Sequence, residues 1–160
     1  MKKILLFFLI LVVVIIYGKG SFVDANTTIP KEQGFSNEKQ IIEQLFQQRA
    51  QLWNKLYEKN NKPSQYINQL KDIVAEPLLA FDIQAFQDVQ EFPTDIDKVL
   101  DVHILKINHV VYKRSEMTAK VKMYWKMQGL SSQYQEEIDY IVTLKRQNNK
   151  WKICDYNIEQ

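Results

Sequence analysis

The segment MTAKVKMYWKM, residues 117–127, places an apolar side chain at every second position. Successive side chains of a β-strand point to opposite faces of the sheet, so this period of two predicts a strand with one buried face. A second alternating run covers residues 134–144, and residues 151–153 begin a third strand. We therefore expect residues 117–158 to form a three-stranded antiparallel meander.

The register of the first hairpin follows from the same alternation. If Gln128 pairs with Gln133 around a four-residue loop, the apolar residues of both strands share one face and Lys122 meets Asp139 on the other. A slip of one residue would move every side chain to the wrong face. The pairs predicted on the apolar face are Met123–Ile138, Val121–Tyr140, Ala119–Val142 and Met117–Leu144.

The second hairpin is predicted to turn at Asn148 and Asn149, because asparagine tolerates positive φ in a tight turn. An uninterrupted ladder from this turn places Asp155 opposite Val142, on the apolar face. The pairs that precede it are Gln147–Lys150, Arg146–Trp151, Lys145–Lys152 and Leu144–Ile153.

Residues 36–57 carry apolar side chains at spacings of three and four, which predicts a long amphipathic helix. Ser36 is the expected N-cap, and Arg49 lies in line with the apolar stripe, where its stem packs at the edge. Pro63 ends the helix region, because proline cannot continue it.

Ser64 is expected to cap a second, shorter helix that stops at Pro77. Residues 78–89 fit a helix and a strand equally well, and we favour the helix. Residues 91–98 are predicted to be a loop. Residues 100–112 are predicted to be a strand with a bulge at Ile104 and Leu105, since the apolar residues change face there.

The N-terminus predicts export. Lys2 and Lys3 precede an uninterrupted apolar run, residues 4–17, so residues 1–20 are either a signal peptide or a single transmembrane anchor. Residues 21–35, which contain Ser, Asn, Thr, Pro and Gly, are expected to be a flexible linker. Both outcomes place the folded part outside the cytoplasm, anchored in the membrane through residues 4–17 or secreted after cleavage.

Charge and cysteine content narrow the function classes. The formal net charge is +2, and Lys2 and Lys3 account for it. A neutral domain has no long-range attraction for phosphate backbones, so we predict no nucleic-acid binding. Cys154 is the only cysteine, which rules out an intramolecular disulfide, and we expect it to be a packing residue.

The long helix, the alternating strands and a final hairpin that reads NNKWKI (residues 148–153) resemble the NTF2-like superfamily, within the cystatin-like α+β folds. The resemblance covers residues 36–160. It implies a long N-terminal helix and one or two shorter helices packed on a curved antiparallel sheet, which forms a cone with a pocket at its mouth. Members of this superfamily include isomerases, dehydratases, binding modules and extracytoplasmic domains of secretion and conjugation systems.

In the enzymatic members an acid, often with a histidine or tyrosine, lies inside the cone. Here Asp155 would be that acid, with Glu136 nearer the rim and His109 and Tyr140 within reach. An apolar pocket raises a carboxyl pKa, which suits a general base. The alternative is that Asp155 lies where the strand leaves the core and is solvated.

No cofactor or metal site is predicted. His103 and His109 lie six residues apart on a strand, which is not a metal-ligand spacing, and we expect both at the rim or the surface.

Two functional hypotheses follow. The first, which we favour, is a non-catalytic extracytoplasmic binding or assembly module, for example in a secretion or conjugation system, that binds a protein partner or a small ligand at the cone mouth. The second is a small cofactor-independent isomerase or lyase that uses Asp155. The sequence leaves a homo-oligomer open.

Overall fold

The computed structural model describes residues 35–56, 64–91 and 97–159. Helices come first in the chain and strands follow, and the strands form one antiparallel sheet in the order β1-β2-β3-β4, so that each strand pairs with its neighbours in sequence. The elements are α1 Ser36–Lys55, α2 Ser64–Ile73, α3 Leu78–Glu91, β1 Lys98–Lys113, β2 Glu116–Gln128, β3 Gln133–Gln147 and β4 Lys150–Ile158.

The β2–β3 hairpin has the register that the alternation predicts. Gln128 pairs with Gln133, and Met123 pairs with Ile138. Lys122 lies opposite Asp139 and forms an ion pair with it at 3.2 Å. The apolar side chains of β2 face the helices and are almost completely buried, so we call this side of the sheet the inner face and the opposite side the outer face. The fully buried residues of β2 are Met117, Ala119, Val121 and Met123.

The turn between β3 and β4 is also as predicted, but the strand pairing beyond it is not. Asn148 and Asn149 have φ of 50° and 61°, the left-handed values of a tight two-residue turn. The register then shifts after Leu144–Ile153, so that Thr143 pairs with Asp155 and Val142 pairs with Tyr156. The predicted pairing of Asp155 with Val142 is therefore wrong.

A β-bulge at Cys154 explains the error. It inserts one unpaired residue into β4, and Ile153 and Cys154 are consequently both buried although they are adjacent in sequence. The extra residue reverses the faces of everything after it, because side chains alternate. Tyr156 takes the inward position and Asp155 lies exposed on the outer face.

Strand β1 contains the bulge predicted at Ile104 and Leu105, together with two further register shifts. Each bulge places an extra residue at the surface and keeps the next apolar residue on the inner face. Val102 and Ile104 are buried, whereas Leu105 is exposed. The last of the three shifts leaves His109 exposed, paired with Lys120.

Helix α1 packs the predicted apolar stripe against the sheet. Ser36 is its first helical residue and not its N-cap; the capping position is Phe35, which makes no side-chain cap hydrogen bond. Helix α3 forms where we favoured a helix, and the strand alternative for that segment is wrong. The buried residues of α1 are Ile42, Leu45, Phe46, Ala50 and Leu52.

Polar side chains of α1 also cover the free edge of β1. The Asn54 side-chain amide donates to the Val99 carbonyl at 2.6 Å, and its Oδ1 accepts from the Val99 N–H at 2.9 Å. Gln47 donates to the Val102 carbonyl, and Glu43 accepts from the Ile104 N–H at 2.8 Å. These contacts satisfy edge groups that would otherwise be open to another strand.

The predicted fold class is wrong. The expected NTF2-like cone, preceded by a signal peptide or anchor, is not the architecture of the described residues, which form three helices and a four-stranded antiparallel meander. Side chains from the helices and the sheet fill the space where the cone was expected to hold a pocket. No helix in the described part of the chain is long and apolar enough to cross a membrane. Three predicted segments lie outside the described residues. They are the apolar run of residues 4–17, residues 21–34 of the linker, and residues 92–96 of the loop.

Candidate functional site

The space where a pocket was expected holds a buried ion pair. Arg49 of α1 donates two hydrogen bonds to the Asp82 carboxylate of α3, from Nε to Oδ2 at 2.7 Å and from Nη2 to Oδ1 at 2.5 Å. The side chains are 11% and 3% exposed. This two-point geometry matches the planar guanidinium to both carboxylate oxygens, which fixes the position of α3 relative to α1.

Aromatic rings surround this ion pair. The Arg49 guanidinium lies over the rings of Tyr156 and Trp53, 5.4 and 5.6 Å from their centroids. Trp53 in turn meets Phe86 of α3 edge to face at 4.9 Å. The remaining edge-to-face contacts of the cluster are Phe46–Tyr156 at 5.3 Å, Tyr140–Tyr156 at 5.6 Å and Phe46–Trp125 at 6.1 Å.

The electrostatics of this cluster favour fixed protonation states. Burial acts to lower the pKa of Arg49, but the charge of Asp82, its hydrogen bonds and Tyr156 outweigh burial and raise it. Burial is the main reason that the pKa of Tyr140 is raised, with Tyr156 and Glu136 adding to it. A guanidinium and a phenol held this way keep their protons near neutral pH.

The predicted site residues do not come together. Asp155 is exposed on the outer face, where the Asn157 side-chain amide donates to its Oδ2 at 2.9 Å. His109 is exposed on the same outer face. Tyr140 is buried on the inner face, whereas Glu136 is exposed near the β2–β3 loop.

The other histidine, His103, contacts two side chains at the surface of the sheet. His103 Nδ1 lies 3.1 Å from Asp101 Oδ2, and the His103 ring stacks on Tyr124 at 4.7 Å. His103 pairs with Tyr124 and His109 pairs with Lys120, so both lie on the outer face although two register shifts of β1 lie between them. Among the residues that the structure describes, no group of three or more His, Cys, Asp or Glu side chains is placed to hold a metal ion.

The Arg49–Asp82 pair is what the sequence analysis missed. Arg49 interrupts the apolar stripe of α1, and this was the available signal, because a charge in that stripe must either reach solvent or find a buried counter-charge. Asp82 gave no comparable signal, because its segment has the least regular pattern of apolar residues in the chain. Its neighbour Phe81 is 67% exposed, so even a large apolar residue there does not mark the buried face.

A second feature lies at the far end of β3. Residues 133–137 pair with β2 on one side, whereas β4 pairs with β3 only as far as Tyr140–Ile158, with one more bond from the Glu159 N–H to the Asp139 carbonyl. A depression of about 160 Å³ lies at this end, lined by Tyr124, Gln135, Glu136 and Glu137. In the described part of the chain this edge has no partner strand.

Comparisons with known proteins do not identify a family. No protein-family description matches the chain, and no curated protein matches it. The chain is similar to a solved structure, the intermembrane-space region of the chloroplast protein ARC6, with a TM-score of 0.48 and 10% sequence identity, over 81% of this chain and 98% of that one. Likeness of this degree identifies neither fold nor function.

Proposed function

We propose that this protein is a non-catalytic binding or assembly module that acts outside the cytoplasm, as a component of an assembly in the cell envelope. The observation that carries the proposal is the filled inner face. Arg49, Asp82 and the surrounding aromatic rings fill the inner face, where the pocket of the cone was expected. In the described part of the chain, a domain packed in this way meets its partners through its surface, including its strand edges.

The isomerase or lyase hypothesis has lost its geometric basis. It requires Asp155 inside an apolar pocket, where desolvation would raise the carboxyl pKa. Asp155 is instead exposed, on the opposite side of the sheet from Tyr140. We do not carry this hypothesis further.

The extracytoplasmic location rests on the sequence of the N-terminus. Lys2 and Lys3 before the apolar run of residues 4–17 favour export or anchoring with the folded part outside. An alkaline phosphatase reporter joined after Gly34 tests this directly, because that enzyme folds only outside the cytoplasm. We expect an active reporter, and an inactive one that accumulates in the cytoplasm would contradict the location.

The functional proposal is tested by removing three candidate chemical groups at once. We expect a full-length chain with Asp155→Asn, His109→Gln and Tyr140→Phe to restore a strain that lacks the protein as well as the unchanged chain does. Cross-linking in the same cells is expected to give a discrete heavier species for both chains.

Loss of function in this triple variant, with unfolding that matches the unchanged chain, would contradict the proposal. The single variant Tyr140→Phe serves as the control for packing, because it alters the buried cluster without touching the exposed carboxylate and imidazole groups.

A further inference from the structure

In the described chain, the far end of β3, residues 133–137, has a free edge to which a strand can be added. Gln133, Gln135, Glu136 and Glu137 are all exposed, and β4 ends before it reaches them. Backbone N–H and C=O groups that point away from β2 there are open to a partner, as at any sheet edge.

The other two edges of the sheet are covered in part. On β1, α1 supplies hydrogen bonds to Val99, Val102 and Ile104. On β4, the segment between α2 and α3 forms a parallel bridge from Val74 to Ile153, and the Ala75 N–H donates to the Ile153 carbonyl at 2.8 Å. β4 ends short of residues 133–137, and a depression lies at the same place, so we take this end of β3 as the docking edge.

The charges at this edge define what fits it. Asp139 is neutralised by Lys122, and Glu159 by Lys120. Glu136 and Glu137 form no ion pair with any side chain that the structure describes. They are adjacent in a strand, so Glu137 is on the outer face beside Tyr124 and Glu136 is on the inner face beside Trp125.

We propose that residues 133–137 bind an extended segment of a partner protein by strand addition, and that this segment carries two adjacent basic residues. Side chains of an added strand alternate in the same way, so one basic residue faces Glu137 and the depression beside Tyr124 while the next faces Glu136. The inference rests on the proposed function, since it names the partner's chemistry and the edge that receives it.

The test uses two peptides and the full-length chain in detergent. The peptide Thr-Val-Lys-Lys-Val-Thr has blocked ends, and its match has Glu-Glu in place of Lys-Lys. Fluorescence anisotropy of the labelled peptides gives affinity, and amide hydrogen exchange gives location. We expect the Lys-Lys peptide alone to bind and to slow exchange in residues 133–137.

Charge variants at the edge make the test specific. The double variant Glu136→Lys, Glu137→Lys is expected to lose the Lys-Lys peptide and to accept the Glu-Glu peptide. The single variants Glu136→Gln and Glu137→Gln should each weaken the Lys-Lys peptide by about twofold to fivefold, as expected for one cross-strand charge pair. Asp155→Asn, which removes an exposed carboxylate elsewhere on the sheet, should leave the affinity unchanged.

Equal binding of both peptides, exchange protection confined to another element, or no binding at all would overturn the inference. These outcomes leave the proposed function standing if the triple variant restores the strain and the heavier cross-linked species is present. Loss of that restoration would instead overturn the proposed function, whichever peptide binds.

Discussion

Arg49 and Asp82 lie 33 residues apart in sequence and form a buried two-point ion pair that joins α1 to α3. Buried ion pairs are retained at a cost, because both charges must leave water, and their attraction offsets that cost only with good geometry. Here the hydrogen bonds and the two rings beside the guanidinium supply it. The pair therefore sets how α3 closes the inner face.

Breaking this pair on one side should be severe. Asp82→Asn leaves the Arg49 charge buried without compensation, and Arg49→Met leaves the Asp82 carboxylate unpaired. We expect each substitution to lower the free energy of unfolding by about 3–5 kcal/mol. Urea denaturation followed by circular dichroism measures this loss.

The double variant Arg49→Met, Asp82→Leu is the matched control, because it removes both charges and keeps apolar volume. We expect it to recover most of the loss. A double variant as unstable as the sum of the two singles would show that the charges are not coupled.

The cover over the β1 edge gives a second prediction. Asn54→Leu keeps the size of the side chain but leaves the Val99 N–H and carbonyl without partners, at a cost of about 1–3 kcal/mol. It also opens an edge strand, so we expect concentration-dependent aggregation by light scattering. Gln51→Leu, at an exposed position of the same helix, should do neither.

The bulge in β4 gives a third prediction. Deleting Cys154 leaves Asp155 opposite Thr143 and Tyr156 opposite Val142 in a regular ladder, but it removes a buried side chain and the local bend of β4, so we expect a lower midpoint of thermal unfolding. Cys154→Ala keeps the bulge and should fold. A deletion variant that unfolds at the midpoint of the unchanged chain would show that the bulge is not required.

The stability of the protein at alkaline pH gives a fourth prediction. The pKa of Tyr140 is raised from its ordinary value of 10.0, chiefly by burial, so the unfolded chain loses this proton first as the pH rises. The contribution of Tyr140 to stability is therefore complete below pH 10 and declines above it. We expect Tyr140→Phe to be less sensitive than the unchanged chain when urea midpoints are compared on either side of that pH.

Tyr112 of β1 offers a comparison with Tyr140. Burial and the hydrogen bond to Glu38 raise its pKa to about 12, so Tyr112→Phe should also reduce alkaline sensitivity, over the interval from its ordinary value up to that pH. Identical pH profiles for both variants and the unchanged chain would contradict the raised pKa of the two phenols.

The sheet could be predicted because its information is local. Alternation in β2 and β3 allows only one register, and the Lys122–Asp139 pair confirms it independently. The Asn148–Asn149 turn was readable because its chemistry lies in the turn itself. The bulge at Ile104 and Leu105 was visible as a change of face.

The candidate site could not be predicted, since it depends on two events that leave little local trace. One residue, Cys154, shifts the faces of β4 and turns Asp155 outward. The Arg49–Asp82 pair depends on how α3 folds back, which residues 78–91 do not encode by themselves. The fold-class error has the same origin, because whether the inner face is open or filled is a matter of tertiary packing.

The most direct test of the central claim, that this domain works through its surface and the β3 edge, is photo-cross-linking in intact cells. A photoreactive residue at Gln135 should give one discrete adduct with a partner protein, and the same residue at Gln51 of α1 should give none. An adduct at Gln51 with nothing at Gln135, or none at either position, would contradict the account.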